Sequence, residues 1–403
     1  MPRHSLVRGS RRGAILSAAI ASATVWTLSR TVHGDVSFDP NWGTTTWSNP
    51  AAWLGPVPNA VGEGTIFRDV SASERNIGVD GNFTIGGMVF SSTQGGSWTF
   101  TSTGTNKLTI DAGPGNTSLI STTKTEALIN SPVILNSNAV LTNGSAGSSY
   151  IKLAGALSGG GDLTVNAFSR LDILGNNSTW NGALHLNVGA ITVNTSNVLG
   201  TVVGATYVDS TELTSLRIAA NVLVKDDIYL NNARGMGYAG AITGLSGSNQ
   251  RSIITGRVDL GSNGAFISGG SSLSNSGIYI KGEVSGGTLN VVGGVVGVAA
   301  NNNTFTGALR AQSGTTKIVD DGVVTTASQV IVHQGAEVLL DNSGTATLTN
   351  RLADSIPITL NGGAIRLVAG NSDVTETIGN VIVAMGAGHI RQNRRAVSSH
   401  TAL

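Results

Sequence analysis

Two acidic doublets, Asp226-Asp227 and Asp320-Asp321, are the residues best suited to hydrolytic chemistry, because glycoside cleavage works through a pair of carboxyl groups. Adjacent residues on a strand point to opposite faces, so neither doublet aims two carboxylates at one bond. The Asn and Gly around them suggest turn residues in solvent instead. His185, His333 and His389 are far apart, lack metal-ligand spacing and have no neighbouring acid-base partner, which favours ordinary surface positions. Gly159-Gly160-Gly161-Asp162 has the flavour of a calcium-binding nonapeptide, but that pattern does not recur, and a coil corner explains it. No glycine cluster opens a helix, so no phosphate-cradling loop is expected. The absence of Cys removes a thiol nucleophile, Cys-ligated zinc and disulfides. No residue is assigned a catalytic, cofactor-binding or metal-binding role, and no cofactor is expected. Trp42, Trp47, Trp53 and Trp98 either stack on sugars or close the end of the fold. Closure is preferred, since an open first layer would template edge pairing.

The elements that carry these residues are short strands. Apolar side chains alternate with polar ones in pieces closed by Gly, Asn or Ser, as in Leu108 and Ile110, Leu184, Leu186 and Val188, and Ile191 and Val193. The same habit returns at Val222 and Val224, Ile228 and Leu230, Ile358 and Leu360, and Ile365 and Leu367. Helical periodicity is nearly absent from the mature chain, which therefore reads as all-β. Gly occurs 55 times and charged residues make up 12%, against roughly 25% in an ordinary domain, so the chain is rich in turns and poor in charge. With 40% hydrophobic residues it has ample material for a core and is not a disordered chain. Net charge is +1, and the basic residues form no stripe that would draw in nucleic acid.

Internal repeats favour a solenoid over a sandwich. The run Asn176-Asn177-Ser178-Thr179-Trp180-Asn181-Gly182-Ala183-Leu184 returns 125 residues later as Asn301-Asn302-Asn303-Thr304-Phe305-Thr306-Gly307-Ala308-Leu309. Residues from about 131 to 231 and from about 256 to 361 thus read as two related units of a solenoid spanning 131–390, after a Trp-rich region at 35–130 that supplies the cap and first coils. With roughly 25 residues per coil, within the range of known solenoids, the mature chain would make about 14 coils. Stacked about 4.8 Å apart, they would form a rod roughly 65 Å long.

Residues 1–34 read as a secretory signal peptide: a basic start (Arg3, His4, Arg8, Arg11, Arg12), an apolar stretch over 14–28, and a small residue, Gly34, before Asp35. That stretch of about 15 residues falls short of the roughly 20 a spanning helix needs, and no later segment is longer, so no transmembrane segment is expected in the mature chain. Residues 391–403 read as a polar, basic tail.

The run Leu157-Ser158-Gly159-Gly160-Gly161-Asp162-Leu163-Thr164, followed by Leu174-Gly175-Asn176-Asn177 and Trp180-Asn181-Gly182, resembles the autotransporter-associated β-strand repeat. Val284-Ser285-Gly286-Gly287 through Thr304-Phe305-Thr306-Gly307 is similar. Asn350-Arg351-Leu352-Ala353-Asp354-Ser355 with Leu360-Asn361-Gly362-Gly363 resembles a segment that often follows such repeats. Trp47-Ser48-Asn49-Pro50, Trp53 and Val57-Pro58-Asn59 resemble the opening of exported proteins of the same group. The resemblance implies a right-handed parallel β-helix (β-solenoid), a passenger displayed on or released from the outside of a bacterial cell, and it carries over no catalytic residue. The sequence departs from the family in showing neither a translocator barrel nor a sorting anchor after Ile390. The expectation is a non-enzymatic structural or adhesion-type protein, extracellular or associated with the outer membrane, whose partners are surface glycans, extracellular matrix or other cells. A β-helical polysaccharide hydrolase or lyase and a carbohydrate-binding surface protein are the alternatives.

Overall fold

The alternating segments become strands, and every strand ladder is parallel to its neighbours. The computed structural model describes residues 34–393 except 70–72, 93–94, 144–149, 168–170, 210–212, 237–238, 246, 248–249, 271–275, 345 and 371–373. The signal-peptide reading of 1–34 therefore lies almost wholly outside the described residues, as does the tail from 394 onward. Among the described residues, the one helical element is a single 3-10 turn, Pro50–Ala52, and no helix is long and apolar enough to cross a membrane.

The chain winds as a three-sided coil. One side stacks Ser118–Thr123, Ala139–Asn143, Leu163–Asn166, the start of Leu184–Val193, Ala205–Val208, Asp227–Tyr229, Val258–Asp259 and Val284–Ser285. A second stacks Ser97–Ser102, Glu126–Ile129, Tyr150–Leu153, Leu171–Ile173, the end of Leu184–Val193 and Thr214–Ile218. The third carries Phe83–Ile85, Leu108–Ile110, Val133–Leu135, Leu157–Gly159 and Thr179–Trp180, and in later coils Leu223–Val224, Arg251–Ile254 and Gly277–Ile280 form a further parallel ladder. The result is a parallel β-solenoid of about 12 turns. That is fewer than a uniform coil of roughly 25 residues implies, because coil length varies and some coils are longer: Leu163 stacks on Leu184, 21 residues on, but Thr44 stacks on Asn76, 32 residues on.

Burial follows the alternation. Phe83, Leu108, Val133 and Leu157 form one inward row in register, and the core runs unbroken from Val36 to Ile365. Each inward aliphatic side chain contributes about 1.5–3 kcal/mol, which a single isolated coil could not secure. Leu184, Leu186, Ile191 and Val193 point inward as read, whereas Val188 does not. The two segments fuse into one strand that turns a corner at Gly189 (φ +104°), and a register shift makes Asn187 an extra residue, so Val188 leaves the inner row.

Corners are where polar groups and missing side chains matter most. Asn177 accepts from the Leu157 amide (2.7 Å) and donates to the Val198 carbonyl (2.6 Å), tying one coil to the coils on both sides. Asn303 repeats this with the Val284 amide (3.0 Å) and the Val323 carbonyl (2.8 Å). Asn177 thus matches Asn303, one residue away from the Asn302 that the 125-residue offset pairs with it, while Trp180 and Phe305 are both fully buried. Glycines stack at a neighbouring corner: a Cβ on Gly182 would lie 2.0 Å from the Gly161 carbonyl oxygen, and one on Gly204 would lie 2.2 Å from that of Gly182.

The N-terminal coils are filled by aromatic rings. Trp47, Trp53 and Trp98 are buried among Phe38, Phe67, Phe90 and Phe100, with Phe67 stacked on Phe90 at 5.1 Å. Trp47 donates to the Pro58 carbonyl and Trp53 to the Trp47 carbonyl, so both indole N–H groups are satisfied. At the other end, Ile382, Val383, Met385 and Ile390 are exposed in Val381–Met385 and His389–Asn393.

Leu186→Asp is expected to destabilise the fold by at least about 4 kcal/mol, because it removes a buried side chain and buries an unpaired carboxylate. A thermal unfolding curve unchanged by this substitution would contradict the inward assignment of Leu186. Asn303→Leu keeps the branching of the side chain but strands the Val284 amide and the Val323 carbonyl, at an expected cost of about 1–3 kcal/mol, measurable by denaturant titration.

Candidate ligand-binding face

The acidic doublets do not form a site. Asp226 and Asp227 occupy the corner after Leu223–Val224 and diverge as strand alternation requires. The Asp227 carboxylate faces outward and accepts from the Arg257 amide at 2.8 Å. Asp226 is only 4% exposed, not a solvated turn residue. Its Oδ2 accepts a hydrogen bond from the inward-facing Thr206 hydroxyl, while Oδ1 has no partner. A void of about 10 Å³ beside it, lined by Val193, Asn197, Leu199 and Lys225 among others, is about the size of one water. Burial, reinforced by the charge of Asp227 and opposed by the Thr206 hydrogen bond, pushes the Asp226 carboxyl from an ordinary 3.8 up to about 7. Asp320 occupies a left-handed turn (φ +51°) with its carboxylate 3.8 Å from Lys281 Nζ, and Asp321 beside it is exposed.

The histidines are also dispersed: His185 is on an outer face, His333 ends the strand Val330–His333, and His389 lies on the last described strand. Among the described residues, no group of three or more His, Asp or Glu side chains is placed to hold a metal ion. Trp47, Trp53 and Trp98 are buried in the first coils and offer no ring face to a sugar; Trp42 is half-buried against the same core. Gly159 turns at φ +95°, and Gly161 packs where a Cβ would meet the Ser137 carbonyl oxygen at 2.2 Å, so this run forms a corner.

Arg351, within the run Asn350-Arg351-Leu352-Ala353-Asp354-Ser355, is fully buried. It donates through Nε to Asn342 Oδ1 (2.8 Å) and through its terminal nitrogens to the carbonyls of Gly322 (3.0 Å) and Ala346 (2.9 Å), pinning an outer loop to the coil below. Nearby, Lys317 and Asp341 form a buried ion pair at 2.5 Å. Burial raises the Asp341 carboxyl, but the hydrogen bonds from Lys317 and Ser343 outweigh it and hold the group below its ordinary value. These residues neutralise one another and serve the structure.

One outward row does gather recognition chemistry. Thr164, His185, Tyr207, Tyr229 and Asp259 stand in register on successive coils of one side, and the buried Ser285 continues the register one coil further. The His185 ring stacks on Tyr207 at 4.7 Å and 5°, and Tyr207 on Tyr229 at 5.0 Å and 14°. The Arg257 guanidinium sits 5.8 Å from the Tyr229 ring, pairs with Asp259 and donates to the Ser285 hydroxyl (3.0 Å). At the other end, Asp209 lies 3.5 Å from His185 Nδ1 and accepts from the Asn231 amide. Only His185 of this row stood out in the sequence. The signal that could have found the rest is positional: His185, Tyr207 and Tyr229 are spaced 22 residues apart, each at an outward position of an alternating strand.

No known protein family, curated protein or solved structure matches this chain.

The raised carboxyl pKa has a definite sign in stability. The folded state binds a proton at Asp226 more tightly than the unfolded chain does, so this residue makes stability fall as pH rises from 3.8 to about 7. Asp226→Asn removes that slope. The melting temperature of the wild type minus that of the variant is expected to be lower at pH 8 than at pH 4.5, and a difference constant with pH would contradict the assignment.

Proposed function

We propose that this chain is a non-enzymatic, exported rod of the passenger type, wound as a right-handed β-helix and used for adhesion at or outside a bacterial cell surface. The observation that supports it most is the unbroken stack itself. One continuous core from Val36 to Ile365 uses the inward residue of nearly every strand, leaving the outward residues as a long, regularly spaced surface. A right-handed winding agrees with the general preference of parallel strand crossovers. Export rests on the order of basic, apolar and small residues over 1–34, and the passenger reading rests on the Gly, Asn and Trp motifs. Those motifs now have structural roles, in the Gly161, Gly182 and Gly204 corner and in the coil-bridging Asn177.

The hydrolase alternative draws less support, because the Asp226 and Asp227 carboxylates point to opposite sides of the wall. The carbohydrate-binding alternative draws support from the aromatic and polar groups in the outward row from His185 to Asp259.

Beads coated with the purified chain are expected to adhere to bacterial or host cells above albumin-coated controls. Adhesion at the control level would refute the adhesive use. Release of reducing sugar or unsaturated product from a polysaccharide panel, abolished by Asp227→Ala, would replace the reading with an enzymatic one.

A further inference from the structure

Resting on that adhesive reading, we propose that the outer row built from His185, Tyr207, Tyr229 and Arg257 binds a neutral, linear, 1,4-linked polysaccharide laid along the rod axis. Three properties of the row lead to this ligand. The first is spacing. Consecutive rungs are one strand separation apart, about 4.8 Å, and an extended 1,4-linked pyranose chain advances by about one such step per sugar. A polymer lying along the axis therefore keeps pace with the coils, one sugar to a rung and an equivalently oriented sugar at every second rung, whereas a folded partner has no reason to match that repeat.

The second property is the kind of group presented. The rings lie face to face, so they turn edges and hydroxyls, not faces, toward solvent. Neither the Tyr207 nor the Tyr229 hydroxyl is engaged by another group among the described residues. Carboxylates of Asp209, Asp227 and Asp259 flank the rings, and Arg257 supplies donors at one end. Alternating acceptors and donors along a line suit the hydroxyl groups of a sugar chain. Stacking and the Arg257–Asp259–Ser285 contacts already restrict these side chains, so little rotamer freedom is lost on binding.

The third property is charge. Asp209 and Asp227 add negative charge beside a guanidinium whose own charge is met by Asp259. An acidic polysaccharide would meet like charges on this row, so the site favours an uncharged one. Five rungs, from Thr164 to Asp259, cover about 19 Å. A shallow contact of that length gains affinity by adding sugars, not by enclosing one.

The test is calorimetric titration of the purified full chain with a length series of cello-oligosaccharides, and with oligogalacturonides of matched length as the acidic counterpart. Affinity is expected to rise with cello-oligosaccharide length and level off when the row is spanned, with the acidic series binding more weakly. Tyr207→Phe, which keeps the ring stack and removes one hydroxyl, is expected to weaken binding severalfold, and Arg257→Gln about tenfold. Both variants should melt as the wild type does within a few degrees, and Trp42→Ala, remote from the row, should bind normally. Loss of affinity in either row variant supports the proposal. No measurable binding, equal affinity for all lengths, preference for the acidic series, or unchanged affinity in both variants overturns it. Bead adhesion separates the two ideas. Adhesive beads with no row-dependent sugar binding would remove this site and leave the adhesive reading, whereas row-dependent binding by non-adhesive beads would do the reverse.

Discussion

A coil of this protein completes its strand hydrogen bonds only when another coil lies on each side of it. In a parallel stack the strand N–H and C=O groups point along the rod axis, and each must be met by the neighbouring turn or remain unsatisfied. Coil stacking is thus the interaction on which the other features depend. It sets the register that aligns Phe83, Leu108, Val133 and Leu157 into one inward row, and it brings the same register to the outer surface at His185, Tyr207 and Tyr229. Where the wall bends and strand bonding lapses, side-chain amides take over, as Asn177 and Asn303 do for the coils on either side. At the first turns, buried Trp and Phe rings fill a space that aliphatic side chains fill elsewhere.

The parts of this architecture that depend on neighbours in sequence were legible in the sequence. Alternation identified Leu108, Ile110, Leu184, Leu186, Ile358 and Leu360 as inward residues, and Gly and Asn marked the corners. The parts that depend on neighbours in space were not. Coil length ranges too widely for register to be counted off along the chain, and the row of rings was missed although its three members are evenly spaced, 22 residues apart. Asp226 reads as a turn residue among Asn and Gly, yet the coil beside it supplies Thr206 from within the core and closes solvent out. Arg351 belongs to a short motif whose sense appears only when the carbonyls of Gly322 and Ala346 are seen converging on its guanidinium. Val188 fails as an inward residue for a local reason, a register shift beside a corner glycine.

Inside and outside have accordingly divided the work. The inner surface is largely aliphatic or aromatic; among the buried polar groups, Asn177, Asn303 and Arg351 bond to backbone, while Asp226 Oδ1, Ser131 Oγ and Thr316 Oγ1 have no partner among the described residues. The outer surface carries ion pairs, cation–π contacts such as Arg257 over Tyr229 at 5.8 Å, and the row of stacked rings. In the binding proposed for that row, contacts are spread along a line and repeated from turn to turn.

The Gly161, Gly182 and Gly204 corner limits how such a chain can change over generations. A single-residue insertion between these glycines would drive a side chain into the carbonyl of the turn below, so small insertions and deletions are confined to the bulging loops. Gain or loss of an entire turn leaves every such contact equivalent to the one it replaces. Related chains should therefore differ in length by whole turns, with variation concentrated where the backbone swings away from the wall.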